Sequence, residues 1–198
     1  RNITLPALGV VTAVGGIVGA FGWKRLVGID NARAQLEGMG YELEDVDRIS
    51  AQVTEAVSCG MMTMAEGTSV AAGALASGVE EGEELEKYIK LIDAAAVGMN
   101  REVSETAMIF NRVQGSGKLM TQELNMVEEA MPGFSAAMAE NAGVTLDEFR
   151  KMVTDGEVTS QDFLIVMDEF AGGMAEAYAN TWDGMVANTK ANIGILGE

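Results

Sequence analysis

Two stretches of this 198-residue chain space their side chains in a way that chemistry could use. "GKLMTQEL" begins at Gly117 and "GEVTSQDF" begins at Gly156. They agree position for position: glycine, charged residue, aliphatic, a variable residue, hydroxyl, glutamine, acid, apolar. Each has the outline of the second half of a calcium-binding helix–loop–helix, where a loop glycine and a buried aliphatic precede a ligating acid. The first half decides the matter. With Asp162 as the twelfth loop position, the first and third fall on Lys151 and Val153; with Glu123 there, they fall on Arg112 and Gln114. A hard cation needs carboxylates at those places. The sequence therefore predicts no metal site, and predicts instead two similar units, at about 112–131 and 151–170. Each has a loop glycine, a buried Leu119 or Val158, a cap and a new helix.

Other reactive groups are sparse. Histidine is absent and Cys59 is the lone cysteine. That excludes an internal disulfide, a Cys/His zinc site, and Ser-His or Cys-His catalysis. Glu80, Glu81, Glu83, Glu84 and Glu86 make a carboxylate-rich turn. Acids at a helix start complement the helix dipole, so the run reads as a solvated first turn. The fourteen methionines stand mostly on apolar stripes and read as core filling. No glycine-rich loop carries the Lys-Ser/Thr that would hold a phosphate. No catalytic residue, cofactor or metal is expected. A net charge of −17 argues against nucleic-acid binding, which needs Lys and Arg to neutralise phosphates.

The elements that hold these residues are helices. Ala, Met, Glu and Leu dominate, only two prolines occur, and no strand-like alternation persists. The expectation is an all-α, multi-helix module of short and medium helices. Leu43, Val46, Ile49, Val53 and Val57 form one apolar stripe. Leu85, Tyr88, Ile89, Ile92, Ala96 and Met99 form another. A small-residue helix is expected from Thr63 to Ser77. Thr121, Thr145 and Thr159 or Ser160 are candidate N-caps, and Thr145 with Glu148 makes a capping box. "MPGF" around Pro132 predicts a break, and "FAGGM" a second one before a final helix from about Met174 to Ile195.

Residues 1–28 are read separately from the helical domain at 29–198. "LPALGVVTAVGGIVGAFGW", from Leu5 to Trp23, is uncharged, and Lys24 and Arg25 end it. Pro6 suits a first helical turn, and Gly15 and Gly19 form the small-xxx-small spacing of close helix contact. As a helix the run reaches about 28 Å, near the roughly 30 Å thickness of a hydrocarbon core. Leu5, Pro6, Gly15, Gly19, Phe21 and Trp23 thus mark a helix-packing or membrane-active segment. A packed helix, a conditional span, and a constitutive span or signal peptide all remain open. Arg1 in place of Met, with an end that reads as mid-helix, gives the expectation of a piece of a longer polypeptide.

The order of motifs carries a resemblance. "GIDNARAQLEGMGY" follows the apolar segment, then a Met/Ala-rich stretch ending in "ASGV", then a long amphipathic helix. "GSGKLMTQELNMVEEAMPGFSAAMAE", "AGVTLDEFRKMVTDGEVTSQDFLIVMDEF" and "NTWDGMVANTKANIG" complete the set. Over nearly its whole length the chain resembles the N-terminal conserved region of tail tape measure proteins of bacteriophages and prophages. The resemblance implies a helical, non-enzymatic chain inside the tail tube of the virion. Such a chain sets tail length and is ejected ahead of the DNA. It implies as partners the tail tube protein, distal tail proteins, tail assembly chaperones, further copies of the chain, and the host membrane at ejection. It also implies a stay in the host cytoplasm during assembly. The frequent helix breaks depart from the long axial repeats of the family and predict a compact module. Two other readings of the residues remain: a membrane-active, pore-forming helical protein, and a helical adaptor with a Met-rich groove for a partner helix.

Overall fold

A computed structural model describes residues 30, 33–34, 36–57 and 62–179, with side chains described up to residue 172. The apolar segment Leu5–Trp23 and the C-terminal "NTWDGMVANTKANIG" lie outside the described residues. The described chain is all-α. Its helices are α1 (Leu43–Val57), α2 (Met64–Ala76), α3 (Glu83–Met99), α4 (Val103–Ser116), α5 (Thr121–Ala130), α6 (Phe134–Ala142), α7 (Leu146–Asp155) and α8 (Ser160–Ala179). A short helical stretch at 36–38 precedes α1.

Helix α3 is the axis. Its two apolar stripes bury Leu85, Ile89, Ile92 and Ala96 together with Tyr88, Leu91, Ala95 and Met99. Burial on more than one side requires several neighbours. α3 accordingly packs on α1, α2, α4, α5 and α8, and its contact with α8 is the most extensive in the fold. α2 is apolar nearly all round and sits among α1, α3 and α4. Small residues set its approach. A Cβ on Gly67 would lie 2.6 Å from Val57 Cγ1, and one on Gly73 would lie 2.5 Å from Asn111 Nδ2. Asn111 in turn accepts from the Tyr88 hydroxyl at 3.2 Å. Burial holds that hydroxyl protonated well above its ordinary range.

Rings run through the core edge to face. Tyr88 meets Phe110, Phe110 meets Phe163, Phe163 meets Phe134, and Phe134 meets Phe170, with centroids 6.0, 5.2, 5.8 and 5.7 Å apart. The four contacts tie α3, α4, α8 and α6 together, each adding about 0.5–1.5 kcal/mol beyond area burial. Met62, Met64, Met99, Met131, Met138 and Met167 are buried in the same core, as the stripe positions predicted.

Three sequence expectations need correction. Leu43 belongs to the α1 stripe by spacing but is 70% exposed, because it is the first residue of α1 and lies beyond the packed face. Thr121 is not a cap. Met120 holds the N-cap position in extended geometry, and Thr121 is already helical. "FAGGM" does not break the chain, since α8 runs through Gly172 and Gly173 to Ala179. Two interior glycines cost roughly 1 kcal/mol each. The long contact of α8 on α3 and the buried Ala171 offset that cost. The Pro132 break is present between α5 and α6, closed by Glu128. Its carboxylate accepts the Gly133 and Ser135 N–H groups at 3.0 and 2.6 Å. Burial opposes ionisation of Glu128, yet these bonds outweigh it and hold the carboxyl below its ordinary range.

Candidate functional site

The echoing octapeptides meet in space. Gly117 ends α4 and Gly156 ends α7, both in the left-handed region (φ 71° and 73°) that L side chains avoid. The residues after them run antiparallel and pair Lys118 with Thr159. The Leu119 N–H donates to the Val158 carbonyl at 2.9 Å, and the Ser160 N–H donates to the Gly117 carbonyl at 3.0 Å. Leu119 and Val158, the aliphatics of the two copies, are both buried, and so are Leu124 and Phe163 one turn into the helices that follow. The Lys118 side chain lies over the end of α7, where a Cβ on Gly156 would sit 2.9 Å from its Nζ. A cation at a helix C-terminus is favourable. The α4–α5 and α7–α8 junctions therefore form one clasp, and α5, α6 and α7 are the excursion that it closes.

The clasp uses its polar groups internally. Thr159 Oγ1 accepts from the Asp162 N–H at 3.1 Å, and Asp162 accepts from the Thr159 N–H and hydroxyl at 3.0 and 2.6 Å. The acid that would complete a cation loop is thus a helix cap. Glu123, its counterpart, is 7% exposed and lies 3.8 Å from Arg112 Nη1. Arg112 and Gln114, the would-be first and third ligand positions of that loop, sit inside α4. Among the described residues no group of His, Cys, Asp or Glu could hold a metal ion. The carboxylate-rich turn at 80–86 is paired in part with cations. Arg48 donates to Glu81 at 2.8 and 3.1 Å, and Lys87 pairs with Glu83 at 2.7 Å. That pairing holds the Glu83 carboxyl below its ordinary range.

One open groove of about 640 Å³ lies between α2 and α4. Gly73 opposite Asn111 and Ser77 opposite Gly115 show that these helices run the same way. The floor combines Val70, Val103 and Ala107 with Ser69 and Ser104, and the half-exposed Met108 stands at the lip. Glu66 lies at one end, and its carboxylate accepts from the Thr63 N–H and hydroxyl. Arg112, the partner of Glu123, lies at the other. Met108 is the sole methionine in the lining, so this is not the Met-rich groove expected of a helical adaptor. No described helix is long and apolar enough to cross a membrane. Leu5, Pro6, Gly15, Gly19, Phe21 and Trp23 all lie outside the described residues, so the structure neither gathers nor separates them.

The pairing of the two copies and the capping of α6 by Glu128 are what sequence reasoning missed. The echo was the signal for the first: two copies of one loop on either side of a short helical excursion can close it by pairing with each other. The second had only a weak signal, an acid four residues before a proline.

A profile of the family described as tape measure protein matches residues 89–196, which covers more than half of the chain, including most of α3 and both halves of the clasp. The chain belongs to the tape measure protein family. Neither the curated proteins nor the solved structures yield a match to it. Family membership makes this a phage tail protein, and the all-helical architecture agrees with the resemblance read from its motifs.

Proposed function

We propose that this chain is part of the structural ruler of a long phage tail, a protein that occupies the tail tube, sets its length and leaves ahead of the DNA at infection. The family match over residues 89–196 carries the reading. Two features support it. The described polar clusters are engaged in caps and ion pairs, which suits a protein that builds and does not catalyse. The net charge of −17 also suits a conduit shared with DNA, because like charges do not adhere.

Within this reading the described domain is a compact module of the ruler and not its axial part. Helices broken about every ten to twenty residues fold back on one another around α3 and α8 and do not extend along a tube. The tail tube protein, distal tail proteins, assembly chaperones and further copies of the chain are its proposed partners, with the host membrane at ejection. The apolar segment from Leu5 to Trp23, including Pro6, Gly15, Gly19 and Phe21, is proposed to pack against a helix or to enter that membrane.

Tail length measured by electron microscopy tests the ruler role. In-frame deletions of increasing size in the encoding gene, placed outside the described domain, should shorten the tails in proportion. Unchanged tails, or virions whose tryptic peptides lack this sequence, would sink the proposal.

A further inference from the structure

We draw no further inference here: the strongest candidate, the open groove between α2 and α4 floored by Val70, Val103 and Ala107, carries nothing because its charged ends, Glu66 and Arg112, already bond within the chain and nothing in the structure shows what covers it.

Discussion

The two halves of the clasp share a pattern and differ in how they start their helices. In the α7–α8 half, both helices begin on a threonine whose hydroxyl accepts from the backbone three residues on, while the acid there reaches back. Thr145 with Glu148 opens α7, and Thr159 with Asp162 opens α8. In the α4–α5 half neither helix has a side-chain cap. Glu102 precedes α4 and Met120 precedes α5. The glycine, the aliphatic and the apolar anchor are held in common, and the caps are not. Burial and the left-handed turn are therefore what this junction requires, whereas capping adds stability that one half does without. Loss of the cap also frees Glu123 to sit buried beside Arg112 while Asp162 stays on the surface.

The largest test of that comparison is at the anchors. Phe163→Ala removes a fully buried ring that touches both Phe110 and Phe134, and should cost about 3–5 kcal/mol. Leu124→Ala, its counterpart, should cost about 2–4 kcal/mol because no ring contacts go with it. Urea unfolding of the two variants checks the order, and equal losses would show that the ring string adds nothing.

Next come the glycines. Alanine at Gly117 or Gly156 forces a Cβ into left-handed backbone, at roughly 1–2 kcal/mol each. Gly156→Ala should exceed Gly117→Ala only slightly, because the Lys118 ammonium that its Cβ meets is the free end of a flexible side chain and can swing away. Urea unfolding of the two variants checks this, and a clearly larger loss for Gly156→Ala would show that Lys118 is held over the end of α7.

The caps follow. Thr159→Ala should lose about 1 kcal/mol, and Thr121→Ala, at an already helical position, should lose far less. Met120→Thr should gain up to about 1 kcal/mol by giving α5 the hydroxyl it lacks. Met120 is 40% exposed, so little burial is forfeited. A Met120→Thr variant no more stable than the parent would mean that Glu123 cannot leave Arg112 to complete the box.

The smallest effect is in pH. Thr145 holds the Glu148 carboxyl below its ordinary value of 4.5. A carboxyl whose folded pKa is depressed adds stability that is full above the ordinary value and is lost as pH falls through the folded one. Amide exchange at the start of α7 should therefore speed up, relative to the start of α4, as pH drops below about 4.5. Glu148→Gln should remove most of that difference, and a difference that survives in the variant would place its cause elsewhere.

Local features of the fold were legible where a residue acts on its own neighbours. The stripes of α1 and α3, the Thr145 box and the Pro132 break depend on spacings of three or four residues, which a sequence displays. Thr63 with Glu66, a second box with the same Thr-x-x-Glu spacing, opens α2 and was not read from the sequence. Features set by distant partners were not legible. The glycines at 172 and 173 look like a break until α3 is there to hold α8 straight. Thr121 is the better guess by residue type, since methionine has no side-chain oxygen to cap with, until the loop pairing fixes where α5 begins. Of the site, the echo was visible and its self-pairing was not, because a pair of backbone hydrogen bonds leaves no mark on side-chain identity.

The clasp also governs how the chain would respond to being drawn out by its ends. Because the backbone departs at Gly117 and comes back at Ser160 across a pair of hydrogen bonds, tension should pass from α4 to α8 through that pair. Residues 121–155 carry no load until that fastening opens. Only when these helices then unravel do they add slack, at about 3.3–3.6 Å per residue.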